Sequence, residues 1–139
     1  MDDLSVAAPV RVLVADDEDD IRDLVCLAAR KAGATEVLAV ADGTAALAQA
    51  RLRLPDLAVL DVSMPGATGL EVCSALRADP ATAGIAILLL SAGASLDDVA
   101  RGLSAGADAY LAKPFSVAGL VSQIRTLTGL EGRSERQPA

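Results

Sequence analysis

Short apolar runs alternate along this chain with longer stretches in which apolar positions recur every three or four residues. The short runs are Val10-Arg11-Val12-Leu13-Val14-Ala15, Glu36 to Val40, Leu57 to Leu60, Ile85 to Leu90 and Ala109-Tyr110-Leu111. Leu57 to Leu60 is apolar throughout, the pattern of a strand buried on both faces of a parallel sheet, and Ile85 to Leu90 is the most hydrophobic run. After the first run, Ile21, Leu24, Val25, Ala28 and Ala32 follow helical spacing, and Gly33 is the expected stop. A second helix runs from about Thr44 to Arg53, with Ala45, Leu47 and Ala48 for packing, and Pro55 forbids its continuation. A third runs from Thr68 or Gly69 to Ala78, with Leu70, Cys73, Ala75 and Leu76 apolar, and Asp79-Pro80 closes it. Leu96 to Leu103 predicts a weak helix, because Gly102 inside it lowers helix propensity by about 1 kcal/mol relative to Ala. Ser116 is placed to cap a last helix carrying Val117, Leu120, Val121, Ile124 and Leu127 on one face.

Five strands therefore alternate with five helices. That order predicts an α/β fold, a doubly wound five-stranded parallel sheet with right-handed crossovers and helices on both faces. One domain is expected over residues 10–128, after a flexible leader at 1–9 and before a disordered tail or linker stub at 129–139. The first helix is apolar over more than one face, through Leu24, Cys26 and Leu27.

Composition narrows the chemistry. A chain of 139 residues with 53% hydrophobic content can bury a real core, and only Tyr110 and Phe115 are aromatic. The net charge of −7 argues against nucleic acid as a direct partner, and no apolar run approaches the length of a membrane span. Histidine is absent, which excludes His-based triads and His metal sites. Cys26 and Cys73 lack metal spacing and read as free thiols of a cytoplasmic protein.

Polar residues gather at the ends of four strands: Asp16 and Asp17, Asp61, Ser91 and Lys113. In an open α/β sheet these ends share one edge, where ligands bind. Carboxylates held together raise one another's pKa unless a cation sits among them. With oxygen ligands only, that cation is Mg²⁺ (or Mn²⁺). A divalent ion, a lysine and a hydroxyl around one carboxylate suit a phosphoryl group. Asp19 and Asp20, by contrast, read as a solvated acidic helix start.

These motifs, Asp16-Asp17, Asp61-x-x-Met64-Pro65-Gly66, Ser91-Ala92 and Lys113-Pro114-Phe115, stand in an order and at intervals that resemble a two-component response-regulator receiver domain of the single-domain chemotaxis type. The resemblance runs from about Arg11 to Leu127. It implies the flavodoxin-like strand order 2-1-3-4-5 and a role for each position. Asp61 would be the phosphoacceptor, attacking phosphorus as a carboxylate nucleophile. Asp17 would bind Mg²⁺ directly, Asp16 through water, and Ser63 through its backbone carbonyl, beside Asp61 itself. Lys113 would pair with Asp61 and then with the phosphoryl group. Ser91 and Tyr110 would be the switch pair, although Ser91 alone also fits a turn serine and Tyr110 a packing residue. A cis Lys113-Pro114 bond is implied as well.

The implied partners are a histidine kinase or histidine phosphotransfer protein and an unidentified downstream protein, with no membrane or direct nucleic-acid contact and a monomer or weak dimer. The implied activity is signalling, with self-phosphorylation and self-dephosphorylation but no turnover of an external substrate. Ser63 and Gly93 are small where the family tunes hydrolysis, which implies an aspartyl phosphate that is not unusually long-lived. The last helix lacks charge near Gly119 and Gln123, which argues against dimerisation through the helix 4–strand 5–helix 5 face. The rival readings are a phosphorylation-independent interaction module on the same fold and an aspartate-nucleophile phosphatase. The latter resembles Asp-x-Asp, whereas Ser63 stands at its second position.

Overall fold

A computed structural model describes residues 8–93 and 95–130. Ten elements alternate: β1 (Arg11–Ala15), α1 (Asp19–Ala32), β2 (Glu36–Val40), α2 (Gly43–Arg53), β3 (Leu57–Asp61), α3 (Gly69–Ala78), β4 (Ala86–Ser91), α4 (Leu96–Ser104), β5 (Ala109–Ala112) and α5 (Val117–Thr128). The strands pair in parallel in the order β2-β1-β3-β4-β5. This is the doubly wound arrangement that the alternation predicts.

Every residue of β3 is buried, which accounts for its uninterrupted apolar sequence. Each Val or Leu so buried contributes on the order of 1.5–3 kcal/mol. On one face of the sheet, Val12, Val14 and Val59 pack with Ala28 and Ala29 of α1 and Ile124 of α5. On the other, Leu13, Leu60 and Leu89 pack with Ala46 of α2 and Val72 and Leu76 of α3. Alanines at the helix contacts let the helix backbones approach closely, so few aromatics are needed.

Four helices start at a side-chain cap: Asp42 on Ala45, Thr68 on Glu71 in a reciprocal box, Ser95 on Asp98 and Ser116 on Gly119. Helix α1 starts at Glu18, whose side chain makes no capping bond.

Three details differ from the sequence reading. Gly129 is the left-handed C-cap of α5, and Leu130 packs on the core beside Gly33. The packed residues thus include 129 and 130; the rest of the expected tail, 131–139, and residues 1–7 of the expected leader lie outside the described residues. Helix α2 begins at Gly43, where the backbone of Ala67 crosses so closely that a Cβ would overlap its carbonyl. On α1, Cys26 is buried and Leu24 half-buried, and Leu27 alone is exposed, at 46%. The apolar patch expected there is reduced to one side chain, because the other two face the core and its margin. Both cysteines are free and buried. No helix among the described residues is long and apolar enough to cross a membrane.

Candidate functional site

The strand order reverses between β1 and β3, and the chemistry collects outside the carboxyl ends of those strands. Register explains how. Ala15 pairs with Leu60, so Asp16 emerges beside Asp61. Asp61 pairs with Leu90, and Ser91 with Ala112, so Ser91 and Lys113 leave the sheet one step further on.

Lys113 is the hub. Its Nζ lies 3.2 Å from Asp16 Oδ2, 3.2 Å from Glu18 Oε1 and 3.4 Å from Asp61 Oδ1. Asp61 is buried, and its Oδ1 also accepts a long bond from the Ser63 amide at 3.4 Å. Oδ2 of Asp61 has no hydrogen-bond donor among the described residues. Asp16 is fully buried; its Oδ1 accepts from the Glu18 amide at 2.9 Å. Its Oδ2 has the charge of Lys113 nearby but no hydrogen bond of proper geometry. A buried carboxylate oxygen without a donor is costly unless something else satisfies it.

The electrostatics follow from that crowding. Burial, and then the neighbouring Asp16 charge, push the Asp61 carboxyl up to about 6, and the attraction of Lys113 only partly opposes them. For Lys113, burial alone would lower the pKa. The charges of Asp61 and Asp16 and the contacts with Glu18 and Asp16 outweigh burial, so the ammonium is held above its usual value. Carboxylate oxygens of Asp16, Glu18 and Asp61 lie within 4.8 Å of one another. Within this group the donorless Oδ2 of Asp16 and the Asp61 oxygens fit a hard divalent cation, while the Glu18 carboxylate is turned to Lys113.

A cavity of about 240 Å³ opens over this group, lined by Asp17, Glu18, Asp61, Ser63, Ala92 and Lys113. Asp17 is exposed and lines the cavity, although its carboxylate is not part of the close group. The loop after β3 is held by the Val62 amide on Leu90 O and the Gly69 amide on Val62 O, at 2.8 and 2.9 Å. Glycine is required at position 69, because a Cβ there would come within 2.4 Å of the Asp61 carbonyl oxygen.

Ser91 and Tyr110 sit on the other side. Among the described residues no hydrogen bond joins Ser91 to Asp61; its Oγ accepts from the Gly93 amide at 3.0 Å. The Tyr110 hydroxyl donates to the Gly93 carbonyl at 2.7 Å, and the ring packs over Gly102 of α4. Ser91 and Tyr110 share a smaller cavity of about 140 Å³ with Val62, Leu70, Asp98 and Arg101. Both residues thus grip the same β4–α4 loop. The Lys113-Pro114 bond is cis.

Glu18 is the residue that sequence reasoning missed. It sits in an acidic run that reads as helix-start charge, and nothing local separates it from its neighbours. The available signal is its position. Glutamate is not among the preferred N-cap residues, so one standing there is free to do something else.

The chain also matches known proteins. Residues 12–125 match the family model described as the response regulator receiver domain. The transcriptional regulatory protein PrrA of Mycobacterium bovis is 42% identical over 130 residues, which cover 94% of this chain and 54% of PrrA. The DNA-binding response regulator MtrA of Mycobacterium tuberculosis is 39% identical over 115 residues, covering 83% of this chain and 49% of MtrA. The chain spans about half the length of these relatives. Among solved structures, the chemotaxis response regulator CheY4 of Vibrio cholerae superposes with a TM-score of 0.80 at 33% identity, covering 86% of this chain and 99% of that one.

Proposed function

This chain belongs to the response regulator receiver domain family, whose members act as phosphoacceptors in two-component signalling, and we propose that Asp61 is its acceptor, taking a phosphoryl group from a phosphohistidine of a kinase or phosphotransfer protein. The observation that carries the reading is the buried Asp61 carboxylate, paired through Oδ1 with Lys113 beside the buried Asp16 and lining a polar cavity, with no donor on its Oδ2 among the described residues.

Oδ2 of Asp61 is the attacking atom, since Oδ1 is held by Lys113 and the Ser63 amide. The O–P bond forms as the P–N bond to the donor imidazole breaks, and the imidazole nitrogen takes up a proton. The raised pKa makes Asp61 a more basic nucleophile than an ordinary aspartate, yet still ionised at neutral pH. Lys113 follows the incoming charge, about −1.5 to −2 at pH 7, from Oδ1 to a phosphoryl oxygen. Asp16, Asp17, Asp61 and the Ser63 carbonyl would hold Mg²⁺, or Mn²⁺, which when bound neutralises the phosphoryl oxygens. Water attack on phosphorus later returns Asp61 and inorganic phosphate. The small side chain of Ser63 and the glycine at 93 leave a path for that water.

Ser91 reads the modification by turning its hydroxyl from the Gly93 amide to the phosphoryl group. That releases the β4–α4 loop, which Tyr110 also grips, and alters the α4–β5–α5 face for a downstream protein. Direct contact with nucleic acid is not part of this proposal, in keeping with the net charge of −7.

The test is incubation with acetyl phosphate and Mg²⁺, read by intact mass, wild type beside Asp61→Asn. One added phosphate in wild type alone is expected. No gain in a folded wild-type protein would favour a phosphorylation-independent binding module instead.

A further inference from the structure

Lys113 must serve Asp61 if the acceptor reading above holds, and this inference rests on that reading. In the resting domain, however, its ammonium is divided among three carboxylates at nearly equal distances. Two of them, Asp16 and Asp61, are buried parts of the acceptor group. The third, Glu18, is a solvent-facing side chain with 64% exposure that reaches Lys113 across 95 positions of sequence.

Its backbone is fixed where such a reach is possible. The Glu18 amide donates to Asp16 Oδ1, and the residue is the N-cap of α1. The other four helices each have a capping side chain; Glu18 leaves the α1 amides uncapped and turns its carboxylate to Lys113. A serine or aspartate would serve the helix better at this place. The side chain also lines the cavity over Asp61, which an anionic phosphodonor would have to approach.

We propose that Glu18 is a positioning residue for Lys113, holding the ammonium partly off Asp61 and so slowing phosphoryl acceptance in the resting state. An exposed ion pair of this kind shifts an equilibrium by no more than about fivefold. Glu18→Gln should therefore speed acceptance from acetyl phosphate about two- to fivefold at saturating Mg²⁺. The gain should vanish in a Lys113→Met background, since the effect runs through that lysine. Two readouts need no turnover. The Lys113 ammonium signal in ¹⁵N NMR of the metal-free protein should move in Glu18→Gln, and Mg²⁺ affinity by calorimetry should change less than fivefold.

Several results would overturn the proposal. An unchanged or slower rate in Glu18→Gln, or an unmoved ammonium signal, would remove the tether. A tenfold or greater loss of Mg²⁺ affinity would make Glu18 a metal ligand instead. An equal gain with and without Lys113 would reduce it to bulk charge at the cavity mouth. Acceptance at Asp61 is tested separately in the same experiment, since it requires that wild type gain phosphate and Asp61→Asn not.

Discussion

Replacing Asp61 with Asn should make the metal-free domain more stable at neutral pH, although it removes the acceptor. Burial and the Asp16 charge raise the Asp61 carboxyl from an ordinary 3.8 to about 6. A carboxyl whose folded pKa is raised binds more protons folded than unfolded between those two values. Its ionisation therefore lowers stability as pH rises through that window, with the full penalty present above about 6 and none below about 4. A shift of roughly two units corresponds to about 3 kcal/mol at most. The cavity is open to water, and Asn gives up the Lys113 contact, so a gain of about 1–2 kcal/mol is the working expectation. The assay is urea unfolding followed by far-ultraviolet circular dichroism in EDTA at pH 5, 6 and 7.5, wild type against Asp61→Asn. The gap between the two should widen with pH and should close when Mg²⁺ is added to wild type. A variant that is less stable than wild type, or a gap independent of pH, would refute the electrostatic account of the site.

Other consequences concern the frame around the site. Gly69→Ala would force a Cβ to within 2.4 Å of the Asp61 carbonyl oxygen, so it should lose about 1–3 kcal/mol by thermal or urea unfolding and lower the phosphorylation rate. Arg77 donates to the carbonyls of Gly106, Ala83 and Ile85 and to Asp108, at 2.6–3.0 Å. Arg77→Ala should cost about 2–3 kcal/mol in urea unfolding, and a loss below 0.5 kcal/mol would show that this clasp between α3 and the α4–β5 turn is idle. In Gly102→Ala the new methyl would sit 2.8 Å from Tyr110 Cδ2, so the ring that bonds the Gly93 carbonyl must shift. With one tyrosine and no tryptophan in the chain, intrinsic fluorescence reports on that ring alone, and an unchanged spectrum would contradict the packing described.

Much of this was legible in the sequence because strand ends are cheap to locate. Apolar runs stop where a polar residue appears, so Asp16, Asp61, Ser91 and Lys113 could be assigned to one sheet edge before any coordinates. The caps Thr68 and Ser116 were equally visible, since short hydroxyl side chains before an apolar period mark helix starts. What sequence could not supply was direction. Cys26 and Leu27 are adjacent on α1, and a wheel that is apolar over a broad arc does not say which of them meets the core; α5 packing decides it. Nor does Asp16-Asp17 show which acid is buried. Glu18 looks like its acidic neighbours until the fold brings Lys113 to it. Leu130 reads as tail because nothing local indicates that it packs beside Gly33.

The central claim is that Asp61 carries the phosphoryl group, and chemical trapping tests it most directly. After reaction with acetyl phosphate and Mg²⁺, borohydride reduces an acyl phosphate to the alcohol, so a modified aspartate becomes homoserine and can be found by peptide mass mapping. Homoserine is expected at position 61 in the Mg²⁺ sample and none in EDTA. An intact Asp61, or homoserine at Asp16 or Asp17 instead, would contradict the claim.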